Sequence, residues 1–173
     1  MNASDLTIAK LGECKVHTPM HQSVYIDDDL DRIIFTANLK ELKPFIEASG
    51  GMPCFEMAGP REMIYFDPAQ ISCGIVTCGG LCPGINDVIR SIVMSLYHHY
   101  GVRSIWGFRY GYEGLSPHYG HAPVALTPQV VKDIHHSGGT ILGSSRGPQD
   151  VRSMVDTMEK MRLSTLYAIG GDG

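Results

Sequence analysis

The sequence predicts an α/β fold: a doubly wound, mainly parallel sheet with helices on both faces. Two observations predict it. Short apolar, β-branched runs alternate with stretches whose apolar residues recur at helical spacing, the pattern of successive βαβ units. Each of the four candidate strands also ends in glycines: Cys78-Gly79-Gly80, Gly107 to Gly114, Gly143 to Gly147, and Gly170 to Gly173. Sixteen of the 20 glycines lie from Gly74 onward. Such sheets take their ligands beyond the C-terminal ends of the strands, so four glycine loops at one edge predict a single binding site there.

Residues 1–70 have weak periodicity and read as an N-terminal extension. Asp27-Asp28-Asp29-Leu30-Asp31 is an acidic cluster of the kind found in solvated loops. Asn38 to Ala48 is compatible with a short helix, which Pro44 is expected to restrict to its second half. Met63 to Phe66 reads as a strand, closed by Asp67-Pro68.

Residues 71–173 carry the alternating pattern. Ile71 to Thr77 is an apolar run that reads as a buried parallel strand. Gly79-Gly80 and Pro83-Gly84 break it, and from Pro83 onward Ile85, Val88, Ile89, Ile92, Val93 and Leu96 fall on one helical face. Strand, glycine turn and helix start aim backbone N–H groups and a positive helix terminus at an anion. The spacing fits neither the dinucleotide nor the Walker fingerprint, and a βα turn of ordinary kind would use the same glycines.

After Gly101, Val102 to Phe108 predicts a second strand, with Gly107-Phe-Arg-Tyr-Gly111-Tyr-Glu-Gly114-Leu115 as the loop beyond it. Thr127-Pro128 supplies an N-cap and a first helical residue for a helix that runs to His135-His136. Thr140 to Leu142 reads as a brief third strand. Pro148 is expected to open a helix with Val151, Met154, Val155, Met158 and Met161 on one face, and Leu166 to Ile169 is the fourth strand.

Composition narrows the function classes. The chain has 173 residues, 43% of them hydrophobic and 18% charged, which describes a folded domain. No apolar run approaches the length of a membrane span, and Met1-Asn-Ala-Ser-Asp5 is not a secretory signal. The net charge of −4 is unevenly placed, with 11 acids against 6 bases over residues 1–72 and 7 against 8 over residues 73–173, but neither part has a basic stripe, so a nucleic-acid partner is not expected. Five cysteines without framework spacing fit a reduced intracellular compartment.

Few residues carry chemistry. Asp172, in a glycine loop after an apolar strand, suits Mg²⁺ bound to nucleotide phosphates, though a turn aspartate occupies the same local pattern. Arg146 follows two serines at a strand end, where its planar fork suits a bidentate phosphate contact. Tyr112 is positioned for a base or ribose, or for packing. Cys78 and Cys82, spaced C-x₃-C without a second pair, argue for small residues at a crowded turn more than for zinc. His118-x-x-His121 lacks further ligands nearby.

The four loops, in this order and spacing, resemble the phosphofructokinase family. Gly74-Ile-Val-Thr-Cys-Gly-Gly-Leu-Cys-Pro-Gly-Ile-Asn-Asp-Val-Ile-Arg90 is similar to the family's first strand, nucleotide loop and helix. Gly107 to Leu115, Gly138 to Arg146 and Ile169-Gly-Gly-Asp-Gly173 resemble its next signatures. Ala58 to Pro68, and Leu81-Cys82 in place of the short bacterial type's acidic and small residues, resemble the long-chain, ATP-using branch related to pyrophosphate-dependent enzymes.

The resemblance implies a glycolytic kinase that transfers the γ-phosphoryl of ATP to fructose 6-phosphate, cytoplasmic and homotetrameric. It implies that Gly79, Tyr112, Arg146, Gly147, Gly171, Asp172 and Gly173 contact the nucleotide. It further implies that Asp172 serves Mg²⁺ and that Arg146 stabilises transition-state charge. Pyrophosphate-using relatives carry Asp where this chain has Gly173, so by this resemblance Gly173 favours ATP. The family's catalytic base lies in a Thr-Ile-Asp-Asn-Asp signature that these residues lack. The chain is therefore expected to be an N-terminal portion of a longer enzyme, inactive alone. A pyrophosphate-dependent enzyme and a short non-catalytic nucleotide-binding or regulatory subunit are the alternatives.

Overall fold

The computed structural model describes Leu6 and residues 8–27, 30–49 and 51–170. Gly171, Asp172 and Gly173 lie outside these residues, as do Asp28 and Asp29 of the acidic cluster. The chain divides into two compact units, Met1–Phe66 and Asp67–Gly173.

In the first unit β1 (Val16–His17) pairs antiparallel with Met63–Ile64, and β2 (Arg32–Ile34) pairs antiparallel with β3 (Cys54–Glu56). Between β2 and β3 lies α1 (Leu39–Ser49), and Met63–Ile64 is β4. Pro44 sits inside α1 without dividing it, contrary to expectation. Its ring removes one N–H from the helical ladder, but the first turn is secured independently. The Asn38 side chain accepts from the Lys40 N–H at 3.0 Å, and Glu41 accepts from Asn38 Nδ2 at 3.2 Å and Thr36 Oγ1 at 2.9 Å. Leu42 anchors that turn by burial. The strand expected over Met63 to Phe66 is reduced to β4, because Asp67 folds back to cap the next turn through Ala69 N and Gln70 Nε2.

The second unit is built around β5 (Ser72–Cys78), buried at every residue. It pairs in parallel with β6 (Ser104–Phe108) on one side and with Leu163–Gly170 on the other. Beyond β6 a two-residue strand, β7 (Val124–Ala125), adds antiparallel at the edge. Naming Leu163–Gly170 β8, the sheet order is β7-β6-β5-β8.

Alternate residues of β5 serve opposite faces, as the pleat requires. Cys73 and Ile75 meet Ile89, Val93 and Leu96, from α2 (Ile85–Met94) and the π-helical turn Ser95–His99 that continues it. Val76 and Cys78 join Phe108 and Leu115, covered by Met154, Met158 and Met161 from and just beyond α4 (Val151–Lys160). Helices thus lie on both faces of a mainly parallel sheet, as the sequence predicts.

Four local expectations change. Val88 is exposed, and the polar Asn86 occupies the inner face of α2. The helix after Thr127 is short, α3 (Pro128–Val131), followed by a separate 3-10 turn over Ile134–His136. α4 begins at Val151, because Asp150 accepts from the Ser153 N–H at 3.2 Å and sets the start; Val151 and Val155 stay exposed. Thr140 to Leu142 is not a strand. Its chain direction is fixed instead by side-chain hydrogen bonds described below.

Thr127 does cap α3, accepting from the Val130 N–H at 3.3 Å. Thr127→Ala is expected to cost about 1 kcal/mol of stability, read as a lower denaturant midpoint at unchanged slope.

Candidate functional site

Three segments converge at the C-terminal edge of β5, and hydrogen bonds from small polar residues hold them together. The turn after β5 is tied to the third loop twice: Gly79 N–H donates to Ser145 O at 3.3 Å, and Ser144 Oγ donates to Gly79 O at 2.6 Å. The third loop is tied in turn to the segment after β6. Ser145 Oγ donates to Tyr110 O at 2.6 Å, and Tyr110 N–H donates to Leu142 O at 2.8 Å.

These bonds hold Tyr110 at φ 62°, a left-handed conformation uncommon for a residue with a side chain. Tyr110 opens the 3-10 helix Gly111–Leu115 that carries Tyr112. Gly111, at φ 59°, holds a left-handed conformation that favours glycine, and a Cβ there would press on Thr77 O at 3.0 Å and Cys78 Sγ at 3.2 Å.

The convergence leaves a cleft of about 1110 Å³ lined by Gly79, Gly80, Tyr112, Arg146, Gly147 and Gly170, with the first residues of α2 and α4 at its wall. Gly79, Tyr112, Arg146 and Gly147, four of the predicted site residues, therefore share one cavity. Gly171, Asp172 and Gly173 lie outside the described residues.

Arg146 is the one charged side chain among the described residues of the lining. A terminal guanidinium nitrogen stands 3.6 Å from where a Cβ on Gly80 would sit, so the turn after β5 and the arginine face each other closely. α2 begins from Gly84 at φ 89° with no side-chain cap, which leaves its first N–H groups for a ligand. A cation, an uncapped helix start and glycines permitting close backbone approach make the cleft suited to phosphate oxygens. No carboxylate lines it among the described residues.

Of the other candidates Cys82 also lines the cleft, and none adds a metal-ligand set to it among the described residues. All five cysteines are free thiols. Burial pushes the Cys73 thiol up to about 11, against a hydrogen bond with Thr165 that lowers it. Burial likewise raises Cys78, with an opposing backbone hydrogen bond from Tyr112. His121 stacks on Tyr119 and lies 4.7 Å from the Tyr110 ring, and no group of three metal-ligating side chains occurs among the described residues.

The raised thiols give a direct expectation. At pH 8 Cys73 and Cys78 stay protonated and buried, so iodoacetamide labels the exposed Cys14 and Cys82 and spares them, as mass spectrometry of the native protein would read. A raised folded value also means that the contribution of Cys73 to stability is complete below the ordinary thiol range. It is lost as pH rises through about 11.

Sequence reasoning missed the residues that hold the third loop. Thr77 is almost wholly buried and donates to Gly143 O at 2.5 Å. Asn86, also buried, donates from Nδ2 to Ser137 O and accepts the Ile141 N–H, both at 2.9 Å. A signal existed: each is a polar residue at a position that the strand or helix period assigns to the core.

A mainly parallel sheet that gathers a guanidinium, glycine turns and an uncapped helix start at its C-terminal edge defines an α/β domain whose cleft is suited to a phosphate. Residues 72–173 match the family described as phosphofructokinase, and the chain belongs to that family. It is 45% identical over 180 aligned positions to the ATP-dependent 6-phosphofructokinase of Amycolatopsis methanolica, covering 100% of this chain and 39% of that protein. It is 52% identical over 118 positions to the enzyme of the same name from Trypanosoma cruzi, covering 68% of this chain and 24% of that protein. The chain thus spans about two-fifths or less of these relatives.

Among solved structures, a pyrophosphate-dependent phosphofructokinase from Marinobacter aquaeolei aligns with TM-score 0.52 at 14% identity, over 58% of this chain and 26% of that one. The Pichia pastoris phosphofructokinase in the T-state aligns with TM-score 0.51 at 24% identity, over 70% and 14%. At these identities the likeness concerns the fold.

Proposed function

We propose that this chain supplies the nucleotide-binding part of an ATP-dependent 6-phosphofructokinase, with residues 71–173 forming the site and residues 1–70 an extension. The whole protein transfers the γ-phosphoryl of ATP to the 1-hydroxyl of fructose 6-phosphate, giving fructose 1,6-bisphosphate. The observation that carries this reading is the meeting of Gly79, Arg146 and Gly147 at one cleft beside the uncapped start of α2. The names of the relatives and the glycine at position 173 favour ATP over pyrophosphate.

Phosphoryl transfer depends on positioning and on neutralising charge spread over the transferring oxygens. In this reading the backbone N–H groups around Gly79 and the start of α2 orient the phosphates. Arg146 meets the charge that grows on them, and Tyr112 lies beside the nucleoside. Mg²⁺, held through Asp172, would neutralise further phosphate charge. Fructose 6-phosphate and the catalytic base belong to parts of the protein outside these residues, and the assembled enzyme is a cytoplasmic homotetramer. No helix among the described residues is long and apolar enough to cross a membrane.

The test is a coupled assay of the full-length protein with fructose 6-phosphate and Mg²⁺, comparing ATP with pyrophosphate. Turnover with ATP is expected. Turnover with pyrophosphate alone would assign the cleft to the other donor, and neither activity would favour a non-catalytic nucleotide-binding subunit. The 173-residue chain by itself is expected to give no turnover.

A further inference from the structure

The third loop carries Arg146, yet no strand pairing holds it. What fixes its path is a chain of hydroxyl hydrogen bonds centred on the buried Thr77. Thr77 has one hydroxyl proton, and at 2.5 Å the Gly143 carbonyl takes it. The Thr140 hydroxyl, 3.0 Å from Thr77 Oγ1, must then be the donor to Thr77. Thr140 Oγ1 accepts in its turn from the Leu142 N–H at 3.1 Å. The direction of every proton in the chain is therefore set: Leu142 N–H to Thr140, Thr140 to Thr77, Thr77 to the Gly143 carbonyl. Thr77 itself belongs to the central strand and is 1% exposed, so the hub of this chain cannot drift or exchange its partners for water.

Downstream of Gly143 the next three residues turn toward the ligand cleft. Gly143 is at φ 68° with a Tyr110 ring carbon 2.9 Å from where a Cβ would lie, so the bend cannot relax by gaining a side chain. Ser144 then donates to Gly79 O, Ser145 to Tyr110 O, and Arg146 emerges opposite Gly80. The same loop is gripped upstream by Asn86 at Ser137 and Ile141.

We propose that Thr77 is a positioning residue for Arg146, acting through Gly143 and Ser144 to hold the guanidinium at the phosphate end of the cleft. It touches no ligand. Its side chain exists to convert the rigid register of β5 into a fixed location for a cation carried on a loop. The proposal deepens the kinase reading and rests on it for the reaction. The hydroxyl chain itself rests on geometry alone.

A double-mutant cycle on the full-length protein tests it, using Thr77→Val, Arg146→Ala and both together, with Thr77→Ser as the conservative variant. Thr77→Val keeps the shape and removes the proton donor. It is expected to lower kcat about tenfold to a hundredfold, the loss typical of a misplaced catalytic group, with the KM for fructose 6-phosphate unchanged. Thr77→Ser is expected to restore turnover to within about threefold of wild type. In the Arg146→Ala background Thr77→Val is expected to cost nothing further, because its effect passes through the missing arginine.

Equal losses from Thr77→Val with and without Arg146 would overturn the proposal, since they would mean a general structural role. If Thr77→Val does not fold, Ser144→Ala enters the same cycle with the same two outcomes. Should the full-length protein turn over pyrophosphate instead of ATP, the ATP reading fails while the cycle, run with that donor, still decides the positioning claim. Should it turn over neither, the same four proteins titrated calorimetrically with inorganic pyrophosphate decide it by additive or non-additive losses of affinity.

Discussion

Arg146→Ala is expected to lower the turnover of the full-length protein about a hundredfold to a thousandfold, the scale seen when one preorganised donor to developing charge is removed. The effect belongs to the transition state, because charge on the equatorial phosphoryl oxygens is greatest there. Among the described residues Arg146 is the single charged side chain in the cleft lining, so none of those residues can take over its work. The side chain is exposed, so stability should change by no more than about 0.5 kcal/mol. Arg146→Lys keeps a charge but loses the planar fork, and part of the defect should remain. Steady-state kinetics beside a denaturation curve separate the two effects. A turnover within threefold of wild type for Arg146→Ala would remove the arginine from the chemistry.

Gly114→Ala is expected to be strongly destabilising, costing about 3 kcal/mol, the upper end for overpacking a filled site. A Cβ there would overlap the carbonyl oxygen of Arg109 and lie 2.9 Å from Arg109 N and 3.0 Å from Phe108 Cβ. None of these can yield cheaply. Phe108 is core, and the backbone beyond Arg109 is locked at Tyr110 in its left-handed conformation by two hydrogen bonds. The damage reaches the cleft as well, because the turn that Gly114 closes carries Tyr112. Gly138→Ala is the matched control: its Cβ would meet nothing within 4 Å, so the change should be close to neutral. The two variants are compared by denaturant unfolding of the full-length protein. Equal midpoints would show that the turn is looser than its geometry implies.

How far the sequence could be read depended on which force shapes each stretch. β5 and α2 were legible because burial shapes them. A continuous β-branched run fits a strand covered on both faces, and a helical apolar period fits one covering layer. The loop from Thr140 to Arg146 was misread for the same reason. Thr-Ile-Leu has strand composition, but Ile141 N–H is taken by Asn86 and Leu142 N–H by Thr140, so no ladder forms. Bonds between residues 55 and 66 positions apart leave no periodic trace. The site residues were legible as types rather than as geometry. Gly79, Arg146 and Gly147 stand out as glycines and a fork after strands, whereas the hydroxyls that aim the arginine look like ordinary core-adjacent threonines and serines. Val88 and Val155 mark the converse error: apolar residues at helical spacing that the fold leaves in solvent.

The central claim is that the nucleotide's phosphates occupy the cleft between the turn after β5 and Arg146. Cys82 lines that cleft and is exposed, whereas Cys14 is exposed elsewhere. The most direct measurement is the rate at which each cysteine of the full-length protein is alkylated, followed by mass spectrometry with and without saturating Mg·ATP. ATP is expected to slow the modification of Cys82 at least tenfold and to leave Cys14 unchanged. An unchanged rate at Cys82 under conditions where ATP is bound would contradict the account.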